Sequence, residues 1–237
     1  MNSEVQIRRV SRVEARCVPM EWAWAEQNRS FIEENWKRRT ADKPKMFNGR
    51  VLLLRNVEFG QDLCRNTYFE TNYADFVAWI DRSYPDRSIA NGFAMGALRG
   101  SDGAFICGVM SAHTTNAGRV YFAAGTPDLS DLRPDGNVDL ATSLTRELTE
   151  ETGLTEADFH VDDEWIIVQR WPTIALLRMV TLPMTAEEGA AMIRANIAKD
   201  PEPELQDVRI VRGLDDIDPE TMPLFLQSFF EWVFTHR

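Results

Sequence analysis

Cysteine is scarce in this chain: Cys17, Cys64 and Cys107 are the only three in 237 residues. They are odd in number, far apart and without metal-ligand spacing, which argues against a disulfide framework and a zinc site and points to a reducing compartment, the cytoplasm. Long apolar runs are missing too. No stretch approaches the roughly 18 residues needed to cross a bilayer, and Met1-Asn2-Ser3-Glu4-Val5 does not begin a charged region followed by an apolar core. Positive charge is in deficit, with 26 Lys and Arg against 37 Asp and Glu and a net charge of −11. Nucleic acid and anionic membrane are therefore poor partners, since both need a basic surface. What remains, 44% hydrophobic and 27% charged residues, is ordinary for a globular protein, and the length buries a core without staples.

One stretch stands out. Between Asp139, a candidate N-cap, and Gly153, a candidate left-handed stop, the chain predicts a helix of nearly four turns. Glu147, Glu150 and Glu151 share about one third of its circumference, at about 100° per residue. Ala141, Leu144 and Leu148 form a separate stripe that can dock on a core, leaving the acidic stripe toward a cavity or solvent. Like charges at these spacings each cost roughly 0.2–0.5 kcal/mol, and carboxylates at a helix C-terminus oppose the macrodipole. A local rule broken this way marks a site, and clustered carboxylate oxygens are what a hard divalent cation such as Mg2+ or Mn2+ needs.

The nine residues Arg146-Glu147-Leu148-Thr149-Glu150-Glu151-Thr152-Gly153-Leu154 would arise by chance on the order of once in a hundred thousand chains of this length, on ordinary residue usage. They resemble the second half of the Nudix hydrolase signature at every fixed position. The first half matches less well: Val138 stands where the leading Glu belongs and Leu132 where the Gly belongs. Tyr121-Phe122-Ala123-Ala124-Gly125-Thr126 is similar to the family's strand ending in Pro-Gly-Gly. That alignment makes 127–137 a loop about six residues longer than usual, with Asp139 the carboxylate nearest the missing Glu. Phe47-Asn48-Gly49, Thr67-Tyr68 and Thr71-Asn72 resemble the N-terminal part of Nudix enzymes that cleave UDP-sugars.

In chain order, residues 5–18 suggest one or two strands. Pro19 opens a helix to about Arg39 with Trp22, Ala25, Phe31, Ile32 and Trp36 on one face. Val51–Leu54 and Leu63–Phe69 read as strands, and Asn72–Tyr84 as a helix. Phe93–Leu98 and Ala104–Met110 flank an Asp-Gly hairpin turn at Gly100–Gly103, and Val120–Ala123 is a strand leading to Gly125. Beyond the box come strands at 165–168 and 174–182, then a helix at 185–199 with Thr185 and Glu188 in capping-box position. An acidic breaker at 200–204, a strand at 208–211 and an apolar helix at 223–234 complete the chain.

The resemblance implies an α/β/α sandwich with a mixed sheet over residues 91–237, with residues 1–90 as an N-terminal α/β extension. The many tryptophans of that extension predict that it packs on the core or on a second copy, as in a homodimer. The implied reaction is hydrolysis of the pyrophosphate bond of a nucleoside diphosphate linked to another group, a nucleotide sugar among the candidates. Divalent ions would neutralise the phosphates and activate water. By position, Glu150 and Glu151 would hold Mg2+ or Mn2+, with Glu147 a ligand or the general base. Arg146 would orient a carboxylate and the Gly125 carbonyl would add an oxygen. A ligand from outside the helix is expected at Glu204, or Glu202, in the acidic loop. Arg119 and Arg99 are the candidate phosphate contacts, since a guanidinium forks onto phosphate oxygens. The rival is a Nudix-fold sensor that binds nucleotide without cleaving it.

Overall fold

A computed structural model describes residues 5–236; residues 1–4, in the stretch expected not to begin a targeting segment, lie outside it. The strands are β1 (Gln6–Val10), β2 (Arg12–Cys17), β3 (Arg50–Phe59), β4 (Leu63–Asn72), β5 (Asn91–Arg99), β6 (Phe105–Met110), β7 (Val120–Tyr121), β8 (His160–Arg170), β9 (Thr173–Thr181) and β10 (Leu205–Val211). The helices are α1 (Ala23–Gln27), α2 (Arg29–Asp42), α3 (Tyr73–Asp81), α4 (Leu140–Thr152), α5 (Ala186–Ile197) and α6 (Leu224–Thr235). The larger sheet runs β1-β8-β9-β5-β6-β10, with β7 paired to β6. It is mixed, because β5 and β9 are parallel while their neighbours are antiparallel. A smaller sheet runs β2-β4-β3.

The alternation of side chains along a strand assigns the layers. On β5, Gly96 faces Leu144 and Leu148 of α4, whereas Phe93 stacks edge-on against Phe225 of α6. On β6, Ile106 faces Gly189 of α5 while Phe105 meets Phe229 and Phe230 of α6. Helices α4 and α5 therefore cover one face and α6 the other, which is the expected α/β/α arrangement with a mixed sheet. Gly96 has to be glycine: an added Cβ would lie 2.9 Å from Val180 and 3.4 Å from Leu144.

The segment before β5 is built into this body. Strand β1 is an edge of the larger sheet, paired with β8. The smaller sheet is tied to the larger one by Leu54, whose N–H donates to Ala90 and whose carbonyl accepts from it, at 2.9 and 2.8 Å. A second core gathers Trp22, Phe69, Phe76 and Trp79, with Trp171 of the β8–β9 turn against it. The helix expected over 19–39 is two helices. The Asn28 side-chain amide donates to the Trp24 carbonyl at 2.7 Å, the kind of local bond by which Asn competes with a helix. A chain beginning at Asn91 would lose the β8 partner strand and bare one side of Trp171. It is expected to be insoluble, and a soluble, folded fragment by circular dichroism and sedimentation would contradict this. Among the described residues no helix is long and apolar enough to cross a membrane.

Candidate active site

Helix α4 begins and ends as its sequence dictates. The Asp139 carboxylate accepts from Thr142 N–H at 3.2 Å, and Gly153 closes the helix at φ 67°, a left-handed conformation that glycine enters without strain. Leu144 and Leu148 are fully buried. The acidic stripe does not face solvent as a unit. Glu151 is 7% exposed, the Glu147 side chain 15%, and only Glu150, at 61%, is open.

Each buried carboxylate meets a different neighbour. Glu151 Oε1 accepts from Ala124 N–H at 2.9 Å, whereas its Oε2 is buried without a hydrogen-bond partner. Such an orphan is costly unless something fills the site. Glu147 lies against Gly125: a Cβ there would stand 2.6 Å from Glu147 Oε1, so the backbone can come this close only at glycine. Burial lifts Glu147 to about 7, with Arg146 opposing and the charges of Glu150, Glu204 and Asp131 adding to it. Burial also lifts Glu151 to about 8, helped chiefly by Glu204.

The loop after α5 thus reaches the same place. Glu204 is exposed but near enough to act on both buried carboxylates, and Ser111 holds its loop by donating to the Glu204 and Pro203 carbonyls at 2.8 and 2.7 Å. Glu202 turns away and pairs with Lys45. Tyr121 is buried beside the group, its hydroxyl accepting from Asn116 at 3.0 Å.

Several other candidates are engaged elsewhere. Arg99 donates to Thr181 Oγ1 at 3.0 Å and pairs with Asp162 at the far end of β5. Asn91, at the other end of the strand, meets Thr126 beside Gly125. Asp139, the carboxylate nearest the missing Glu, is engaged with Thr142 and with Arg133. Val138 is core, 6% exposed, with its N–H donating to Ala15. Val138→Glu should therefore destabilise the protein by about 3–5 kcal/mol, the scale of an uncompensated buried charge, and not improve the site. Denaturation in urea measures this, and wild-type stability would contradict it. Arg119 donates to the Glu220 carbonyl at 3.1 Å.

One residue was missed. Asp131 is 4% exposed and accepts from Arg146 Nη2 at 3.1 Å, while Arg146 Nη1 reaches Glu147 Oε1 at 2.9 Å and Glu150 Oε2 at 3.3 Å. The only local signal was the Asp128-x-x-Asp131 spacing of a capped turn. Among the described residues, no three His, Cys, Asp or Glu side chains are gathered closely enough to enclose a cation. Arg146 instead spans Glu147 and Glu150, and like charges alone would push the carboxylates apart. The orphaned Glu151 Oε2, the glycine cradle under Glu147 and the all-oxygen donor set nevertheless fit a hard divalent ion.

No family model matches the chain, and no curated protein matches it. Similar solved structures include a MutT protein from Methanosarcina mazei Go1, with 18% identity, covering 60% of this chain and 93% of that one, at a TM-score of 0.36. A C. elegans Ap4A hydrolase shares 13% identity over 60% of this chain and 93% of its own, at 0.38. The Nudix hydrolase RenU from M. smegmatis shares 10% identity over 60% and 81%, at 0.37.

Proposed function

We propose that this chain is a Nudix-type hydrolase dependent on Mg2+ or Mn2+, cleaving the pyrophosphate bond of a nucleoside diphosphate joined to another group. The observation that carries this reading is the buried pair Glu147 and Glu151, both raised well above the ordinary carboxylate range, with a third carboxylate, Glu204, acting on them from a separate loop. A purely structural site has no reason to bury two acids beside one another, since the arrangement opposes folding whenever they ionise.

Glu150, Glu151, Glu147 and Glu204 would hold the cation, which when bound supplies charge neutralisation for the phosphate oxygens and a lowered pKa for water. Glu147 would serve either as a ligand or, left off the cation, as the general base, since a carboxylate near 7 accepts a proton at neutral pH. Arg146 keeps that carboxylate in place, and Ala124 N–H fixes one oxygen of Glu151 so that the other is presented inward.

The substrate's second moiety is assigned to the side of the site built by residues 1–90, and a nucleotide sugar is the favoured class. Phe47-Asn48-Gly49, part of the resemblance to UDP-sugar-cleaving enzymes, joins the start of α3: Asn48 Oδ1 accepts from Ala74 N–H and the Gly49 carbonyl from Tyr73 N–H, at 2.8 and 2.9 Å. On the same segment Lys43 donates to the Thr114 carbonyl and Lys45 to Glu202, which supports its lying beside the acidic loop. A screen of UDP-sugars, ADP-ribose, dinucleotides and nucleoside triphosphates with Mg2+ and with Mn2+ tests the reading. At least one should be cleaved to a nucleoside monophosphate. Binding without cleavage across the panel would favour the sensor.

A further inference from the structure

The loop between Gly125 and α4 is long, and the N-terminal strands hold it at both ends. On one side Leu52 N–H of β3 donates to the Pro127 carbonyl at 2.7 Å, and Val51 bridges Asp128. On the other, Cys17 N–H of β2 donates to the Gly136 carbonyl and Val138 N–H to the Ala15 carbonyl, both at 2.9 Å. Between these anchors lies a single 3-10 turn, Leu129–Asp131. The Asp128 side chain accepts from Ser130 N–H at 2.6 Å, and Asp131 Oδ2 accepts from Asp128 N–H at 3.1 Å.

That turn leaves Asp131 Oδ1 free for Arg146 Nη2. A guanidinium is a rigid plane, so gripping one edge aims the other. With Nη2 held, Nη1 lies 2.9 Å from Glu147 Oε1 and donates a hydrogen bond to Glu150 Oε2 at 3.3 Å. Without that grip nothing in the turn keeps Nη1 beside the buried Glu147, and only the exposed Glu150 need hold it. A carboxylate as deeply buried as Asp131 is tolerated only when paired and hydrogen-bonded, and both of its oxygens are used.

The geometry points to Asp131 as the positioning residue of this site, through which β2 and β3 of the N-terminal segment set Arg146 and hence Glu147. This rests on the hydrolase reading above and extends it. The chain does carry an acid ahead of Arg146, seven residues before Val138, on a turn whose place depends on strands outside the 91–237 core. The N-terminal segment then takes part in turnover through a relay of three side chains, besides lining the site.

Asp131→Asn separates this role from the turn's integrity. Its Oδ1 can still accept from Asp128 N–H, but its NH2 group meets the Arg146 donors with another donor. The expected result is a folded protein whose kcat on the cleaved nucleotide falls about 10–100-fold, the loss typical of a group that supports a ligand, with an unchanged KM. Mn2+ binding, followed by electron paramagnetic resonance, should weaken by about tenfold. Asp131→Glu should recover part of both. Combined with Arg146→Gln, Asp131→Asn should cost nothing further, because both remove one path. Wild-type kcat and Mn2+ affinity in Asp131→Asn, or losses that multiply in the double variant, would overturn the assignment. If the wild-type protein cleaves no nucleotide, the hydrolase reading falls, and Mn2+ affinity alone decides the positioning role. If Asp131→Asn does not fold, Asp131→Glu decides: a lowered kcat at constant KM supports the relay, and wild-type values refute it.

Discussion

Glu151→Gln is expected to reduce turnover by more than about 100-fold, beyond the range for groups that only support a ligand, while leaving the protein folded and its metal-free form more stable near pH 8. Gln preserves the side chain's shape and can still accept the Ala124 N–H that Glu151 Oε1 takes at 2.9 Å. What it removes is the charge on a nearly buried side chain whose other oxygen has no partner. In the metal-free protein that charge is a liability, pressed by burial and by Glu204, so losing it relieves the fold. With a cation in place it is the reason the cation binds. Activity and stability should therefore move in opposite directions, which a packing role would not produce. A variant that loses activity and melting temperature together, or keeps full activity at saturating Mg2+, would contradict the account.

The second large effect is on pH. Glu147 and Glu151 sit at about 7 and about 8 in the folded chain, against about 4.3 for an ordinary glutamate. Between pH 4.5 and 8 the folded, metal-free protein binds more protons than the unfolded chain, so its unfolding free energy falls as pH rises through that window. These two groups oppose folding fully only above about pH 8. A divalent cation must displace those protons, so its affinity should climb toward pH 8 by about tenfold per pH unit for each proton released. Melting curves at pH 6 and pH 8.5, with EDTA and with Mg2+, should show a stabilisation by Mg2+ that is small at the lower pH and large at the higher. An equal Mg2+ effect at both would mean that these carboxylates do not hold the ion.

Much of the frame was legible because it is written locally. Asp139 and Gly153 bound α4, Thr185 and Glu188 form the capping box of α5, and Gly103, at φ 78°, turns the β5–β6 hairpin. Each depends on contacts within a few residues. What stayed hidden depends on tertiary placement. The stripe Glu147, Glu150 and Glu151 is visible on a helical wheel, but that two of its members are buried and one open depends on Gly125 and Ala124 arriving from another strand. Arg99 finds Thr181 and Asp162, partners brought by β9 and β8 through a sheet pairing that composition does not give. Asp131 was invisible because its partner is fifteen residues away across a loop whose position is set by β2 and β3. The pairing of β1 with β8 joins the two ends of a long separation, which periodicity cannot reveal.

The central claim is that this group of carboxylates directs water onto a pyrophosphate with the help of a divalent cation. Phosphorus NMR of the products formed in 18O-enriched water, with Mg2+ and with EDTA, tests it most directly. The account predicts cleavage only with Mg2+ and a single 18O in one of the two phosphate products. Cleavage in EDTA, or products without the label, would contradict it.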